Sequence, residues 1–165
     1  MPDVARTYIR TALPADIEAI VRLEQRTFDE PWSRLLFEQF INAAGFLVAI
    51  STDGNPRPGG PIDGRLLGYI VTTPSDQSKR LLHLRNLAVA PRLRGQGVGS
   101  QLLERSLVSY RSGGYQRVFL EVRASNKPAI RLYRKHGFLV IGRQPGYYGD
   151  GEPALVMARD IEEGW

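Results

Sequence analysis

The stretch Arg94-Gly95-Gln96-Gly97-Val98-Gly99-Ser100 stands between the apolar run Leu81–Val89 and a segment in which Gly99, Leu102, Leu103, Ser106, Leu107 and Tyr110 recur at helical spacing. It therefore reads as a glycine loop joining a strand to an amphipathic helix. The glycines leave successive backbone N–H groups unobstructed and the helix N-terminus adds partial positive charge, which makes a phosphate cradle. Arg92 and Arg94 can add ionic contacts. A Walker loop would end in Gly-Lys-Ser/Thr, and this one ends Val98-Gly99-Ser100. A dinucleotide fingerprint would need glycine or alanine where Ser100 stands; Glu121 lies near the distance expected of a ribose-binding acid, so that reading is weakened and stays open. A glycine loop with no ligand is the remaining alternative.

Working outward, Tyr8–Arg10 reads as a first strand and Leu13–Asp16 as a helix start, with Ile17, Ile20, Val21 and Phe28 marking the apolar face. Asp29-Glu30-Pro31-Trp32-Ser33 interrupts that helix, and Ser33 is placed to cap a second one through about Ala43. Phe46–Ser51 and Leu66–Thr73 are β-prone runs separated by a turn-rich loop over 52–64. Downstream, Gly113-Gly114 stops the helix after the glycine loop, Arg117–Val122 is a strand, and Asn126–His136 is a helix ended by Gly137. Phe138–Ile141 and Ala154–Ala158 close the chain as strands around Gly149-Asp150-Gly151. Alternating strands and helices with hairpins at both ends predict an α/β protein, a mixed sheet covered by helices. At 165 residues, 42% hydrophobic and 24% charged, residues 1–165 are expected to form one domain.

The longest apolar runs, Gly45–Ile50 and Leu66–Val71, fall far short of the roughly 20 residues that span a bilayer. Asp3, Arg6, Arg10, Asp16 and Glu18 leave no secretory h-region near the start, so a cytoplasmic protein is expected, without a membrane partner. The absence of cysteine removes disulfides, thiolate metal sites and a cysteine nucleophile. With His83 and His136 as the sole imidazoles and neither HExxH nor GxSxG, no catalytic zinc and no ordinary hydrolase triad are expected. Chemistry falls to carboxylates, tyrosines, backbone groups or a bound cofactor. The net charge of +5 is unevenly spread: 79–143 carries +12 and the remainder −7, so the basic span calls for an anionic partner or is a solvated surface.

The pattern Arg94-x-x-Gly97-x-Gly99 after Asn86-Leu87-Ala88-Val89-Ala90-Pro91 resembles the GNAT N-acetyltransferase superfamily. The resemblance continues through Leu120-Glu121-Val122-Arg123-Ala124-Ser125-Asn126 and Leu132-Tyr133-Arg134-Lys135-His136-Gly137-Phe138, which look like the RimI-type branch. Gly146-Tyr147-Tyr148-Gly149-Asp150-Gly151 and the strand after it are similar to RimI and its archaeal relatives, and Glu30-Pro31-Trp32-Ser33 is an isolated match near the start. The resemblance implies a GNAT fold: a central, mostly antiparallel twisted sheet with a splayed parallel strand pair, flanked by about four helices. It also implies acetyl-CoA as donor and CoA as product, with a protein N-terminal α-amine, such as that of a ribosomal protein, as acceptor.

Residue by residue, the resemblance implies that the backbone of Leu87, Ala88 and Val89 receives pantetheine and that the Val89 N–H polarises the thioester carbonyl. The pyrophosphate goes to the amides of Gly95, Gln96, Gly97, Val98, Gly99 and Ser100, beside Arg94. Asn126 matches a cofactor contact and is equally a plain helix cap. Glu121 matches the family's general base; otherwise it is a solvated strand carboxylate sharing a face with Phe119 and Arg123. Tyr133 matches the general acid and cofactor contact, against the alternative of core filling. His83, alternating with Arg85 and Leu87, is a candidate second base or a structural histidine, and His136 reads as structural. Glu30, Pro31 and Trp32 together with Tyr147 and Tyr148 are the candidates to frame the peptide, the tyrosines having hairpin core as their alternative.

A carboxylate near ~4.3 is a weak base, and the acceptor decides how much that matters. An α-amine with pKa about 7.8 is roughly a tenth neutral at pH 7, whereas lysine at about 10.4 is neutral in fewer than about one molecule per thousand. That gap is about 3.5 kcal/mol in favour of the α-amine. A GNAT acting on a small-molecule amine or a lysine side chain is the enzyme alternative. A basic RNA- or ribosome-binding module is the non-enzyme alternative; with no aromatic RNP-like strand, direct nucleic-acid binding is not expected.

Overall fold

Along Arg117–Arg123 (β5), Val118, Leu120 and Val122 are buried while Phe119, Glu121 and Arg123 take the other face. A period-2 strand thus places a carboxylate opposite an apolar layer. The computed structural model describes residues 7–51 and 66–161, and the 52–64 loop read from the sequence lies outside them. In chain order the elements before β5 are β1 (Thr7–Thr11), α1 (Ile17–Thr27), α2 (Arg34–Gln39), β2 (Gly45–Ser51), β3 (Leu66–Pro74), β4 (Leu81–Val89) and α3 (Val98–Val108). After it come α4 (Lys127–Lys135), β6 (Leu139–Gln144) and β7 (Ala154–Asp160).

The strands form a mixed sheet in the order β1-β2-β3-β4-β5-β7-β6. Pairs β1/β2, β2/β3, β5/β7 and β6/β7 are antiparallel, and β4/β5 is parallel, as expected of this fold class. The parallel ladder runs from Leu81↔Arg117 to His83↔Phe119, although β4 continues to Val89 and β5 to Arg123. The described residues pack as two compact units, one of residues through Thr72 with Asn86–Ser109, the other of Thr73–Arg85 with Tyr110 onward.

In the first unit α3 buries Gly99, Leu102, Leu103, Ser106 and Leu107, the face predicted from spacing. They join Ile20, Leu23, Phe37, Phe46 and Tyr69, each large side chain contributing roughly 1.5–3 kcal/mol by leaving water. Ser106 Oγ donates to the Gly45 carbonyl at 2.8 Å, which satisfies the one hydroxyl on that face. Strands β3 and β4 approach so closely at Gly68 that a Cβ there would lie 2.6 Å from the Ala88 carbonyl oxygen. The second helix departs from expectation: Ser33 does cap it, accepting from the Leu36 N–H at 3.3 Å, but it ends at Gln39 rather than about Ala43. The cause is local, because Phe40 and Ala43 donate back only three residues, to Phe37 and Phe40, and turn the chain into β2.

In the second unit Leu82, Leu84, Val118, Leu120, Phe138 and Met157 form the buried layer, and α4 adds Ile130 and Tyr133. Asn126 caps α4, accepting from the Ala129 N–H at 3.3 Å, so its capping role is real. Gly137, at φ +86°, takes the left-handed turn that ends the helix.

Candidate active site

The glycine loop belongs to the first unit. Pro91–Leu93 forms a short 3-10 turn, after which Gly95 (φ +77°) and Gly97 (φ +88°) adopt left-handed backbone, Gly97 as the N-cap of α3. Space around both is open: a Cβ at either position would meet nothing within 4 Å. The N-terminal turn of α3, with the exposed Arg92, Arg94, Gly95 and Gly97 just before it in sequence, suits a diphosphate. Gln96 is partly committed elsewhere, donating from Nε2 to the Arg92 carbonyl at 3.4 Å.

The second unit holds the candidate acid–base groups. His83 Nε2 and Glu121 Oε2 are 2.7 Å apart, the side chains 18% and 17% exposed, so each still meets water. Two rungs of register explain the meeting: His83 pairs with Phe119, and Glu121 follows two residues later on the same face of β5. In its carboxylate form Glu121 only accepts, so the His83 Nε2–H donates. The imidazole stacks on the Phe119 ring at 4.3 Å and 14°, which fixes its plane. Glu121 is therefore a paired, partly exposed carboxylate rather than a freely solvated one.

Two tyrosines feel the Glu121 charge, and a third lies near one of them. Tyr147 and Tyr148, in the turn between β6 and β7, pack edge to face at 5.0 Å. Burial raises the Tyr147 hydroxyl above the usual tyrosine value, and the Glu121 charge adds to the shift. Tyr148 is pushed up to about 12, first by burial and then by Tyr147, with Glu121 contributing. Both hydroxyls thus sense the Glu121 carboxylate and stay protonated at neutral pH. Tyr147 is 47% exposed, which corrects the hairpin-core alternative: it is a rim residue. Tyr133 is buried against the Phe138 ring at 5.6 Å, and burial, then Tyr148, holds its hydroxyl well above the usual range. It is core filling, with a hydroxyl that stays protonated at neutral pH.

Among known proteins, residues 17–138 match the acetyltransferase (GNAT) family. The chain belongs to that family. Its relatives include the N-alpha-acetyltransferase of Saccharolobus solfataricus, 32% identical over 93% of this chain and 92% of the relative. The crystal structure of Ard1 from Thermoplasma volcanium superposes with a TM-score of 0.82 at 31% identity, covering 96% of this chain and 99% of the other. The ribosomal-protein-S18-alanine N-acetyltransferase of Escherichia coli gives 0.75 at 30% identity, covering 96% of each chain.

Within this GNAT chain the predicted residues divide between the units. His83, Glu121, Asn126, Tyr133, Tyr147 and Tyr148 lie in the second, whereas Leu87–Val89, Arg94–Ser100 and Glu30–Trp32 lie in the first. Two groups escaped the sequence reading. Arg123 donates to Asp150 at 2.8 Å and Glu152 at 2.9 Å and places its guanidinium 4.0 Å from the Tyr148 ring centre, tying the tyrosine turn to β5. Its signal was a cation two residues after Glu121 on the same strand face. The other is Glu24, 1% exposed, which accepts from the Trp32 backbone N–H at 3.0 Å, from Asn86 Nδ2 at 3.1 Å to each oxygen, and from the Tyr69 hydroxyl. Its signal was a charge seven residues after Ile17 on the apolar face of α1. Glu30 and Pro31 are exposed, and Trp32 packs on Phe37 at 5.2 Å and Phe40 at 5.7 Å.

Proposed function

We propose that this chain transfers the acetyl group of acetyl-CoA to the N-terminal α-amine of a protein, a ribosomal protein being one acceptor of that class. The His83–Glu121 contact of 2.7 Å, sensed by the Tyr147 and Tyr148 hydroxyls, carries the reading. It supplies a proton acceptor beside two aromatic hydroxyls suited to a peptide backbone. The names of the relatives, N-alpha-acetyltransferase and ribosomal-protein-alanine N-acetyltransferase, support the same acceptor class.

Acetyl-CoA supplies an activated thioester and departs as CoA. The Gly95–Ser100 amides and Arg94 would hold its diphosphate, and the backbone of Leu87, Ala88 and Val89 would take the pantetheine arm, with the Val89 N–H available to polarise the thioester carbonyl. Glu121, with His83 donating to it, takes the proton from the incoming ammonium, directly or through water, and frees the amine to attack. Tyr133, kept protonated by burial, returns a proton to the leaving sulfur. Glu30, Pro31, Trp32, Tyr147 and Tyr148 contact the peptide. With no cysteine in the chain, direct attack of amine on thioester is the simplest route.

The test is acetyl-CoA turnover on peptides that differ in their first residues, with N-terminally blocked lysine peptides and small amines as controls. Turnover of free α-amines and not of the blocked peptides is expected. Turnover confined to lysine or small amines overturns the acceptor assignment, and failure to bind CoA overturns the whole reading.

A further inference from the structure

A buried carboxylate that gains nothing beyond packing is a poor investment: desolvation is costly, and apolar residues of similar volume often serve stability as well or better. Glu24 is retained with every donor aimed at it accounted for. The loop between α1 and α2 supplies the Trp32 N–H, β3 supplies the Tyr69 hydroxyl, and β4 supplies Asn86 Nδ2, which also lies 3.0 Å from the Tyr69 oxygen. Asn86, held by its amide nitrogen, turns its Oδ1 to accept from the Leu87 N–H at 3.1 Å. A continuous hydrogen-bonded chain therefore runs from the Trp32 backbone through Glu24 and Asn86 to the Leu87 backbone.

Both ends of that chain are functional positions in the proposed reaction. With its N–H pinned, Trp32 lays its ring on Phe37 and Phe40 and leaves Glu30 and Pro31 exposed to an acceptor. Leu87 opens the stretch of β4 assigned to the pantetheine arm. We infer that Glu24 is a positioning residue, one buried carboxylate that sets the acceptor loop and the β4 backbone together. The inference rests on the proposed acetyl transfer, because that reading gives the two ends their roles. Phe37, packed edge to face on Tyr69 at 5.4 Å, keeps the phenol in place for this contact.

The donor–acceptor sense of the Glu24–Asn86 contact can be reversed. Glu24→Gln sets an amide nitrogen against Asn86 Nδ2, and Asn86→Asp sets two carboxylates face to face. The double variant E24Q/N86D restores one donor and one acceptor with the same net charge. Each single variant should raise peptide KM and lower kcat/KM about tenfold or more, as expected for losing a hydrogen bond to a charged group. CoA affinity should fall as well but by less than peptide affinity, since Leu87 opens the stretch assigned to the pantetheine arm while the glycine loop holds the diphosphate. The double variant should recover most of the peptide KM. Wild-type peptide KM in E24Q, or a double variant that recovers melting temperature and not KM, overturns the inference. Should E24Q fail to fold, Tyr69→Phe keeps the ring and removes one donor; a wild-type peptide KM there overturns it equally. Failure of the wild-type protein on every α-amine is a separate result that strikes the proposed function. The Glu24 comparison is then made on whichever amine the wild type accepts.

Discussion

His83 Nε2 stands 2.7 Å from the Glu121 carboxylate, and the stacked Phe119 ring holds the geometry of the pair. Glu121→Gln preserves the shape and removes the acceptor charge. Its kcat is expected to fall about 100-fold, the low end for general acid–base groups, with CoA affinity in a binding titration unchanged; unaltered kcat removes Glu121 from the mechanism. Glu24 titrates in another sense. Burial raises its carboxyl above the usual glutamate value, although Trp32, Tyr69 and Asn86 hydrogen bonds pull the other way. The folded protein therefore holds this proton more tightly than the unfolded chain does. The stability that gives is fully present below the unfolded value of about 4.3 and is lost as pH rises through the raised folded value. Glu24→Gln cannot titrate, so its melting-temperature deficit relative to wild type should shrink as pH is raised from about 4 toward neutrality. A deficit that widens with pH contradicts the raised value.

At the scale of elements, two glycines do different work and their alanine variants should separate. Gly97, the N-cap of α3, sits at φ +88° with open space around it, so Gly97→Ala meets backbone strain of roughly 1–2 kcal/mol and no collision. Relief of that strain moves the first N–H groups of α3, and CoA affinity should fall more than stability. Gly68 has an ordinary backbone, but a Cβ would stand 2.6 Å from the Ala88 carbonyl oxygen between β3 and β4. Gly68→Ala must push two strands apart, at roughly 1–3 kcal/mol, and lower the melting temperature by several degrees. Thermal melts and CoA titrations of the two variants check the contrast; equal losses of affinity with no difference in melting would refute it. The same elements show what sequence conveys. Alternation placed β5 within a residue of its ends because one face is buried, whereas the helical spacing run on to Tyr110 and the Gly113-Gly114 stop overshoot α3, which ends at Val108. The end of α2 was missed because three-residue turns after Phe37 depend on where β2 must begin, which no local pattern records.

Over the whole molecule, the fold class was legible and candidate acid–base residues could be named because glycine spacing, strand alternation and the Glu121 and Tyr133 motifs are local in sequence. Glu24, Tyr69 and Asn86 were not, since they come from three separate elements and look like one stray charge, one core aromatic and one strand polar residue until folded together. Charge was legible as a distribution: +12 over 79–143 against −7 elsewhere. Much of that basic span carries no acidic neighbour in sequence, and Arg92 and Arg94 stand exposed beside the loop assigned to the diphosphate. If they act through charge, their contribution must be screened by salt, since the Debye length shrinks to about 8 Å at physiological ionic strength. The double substitution R92Q/R94Q should therefore weaken CoA binding several-fold at low ionic strength and flatten its dependence on salt, converging on wild type at high salt. Turnover at saturating acetyl-CoA should remain near wild type, because neither arginine is assigned to the reacting atoms. Parallel salt curves for the two proteins would mean that the loop amides alone hold the phosphates and that the basic surface serves another anion.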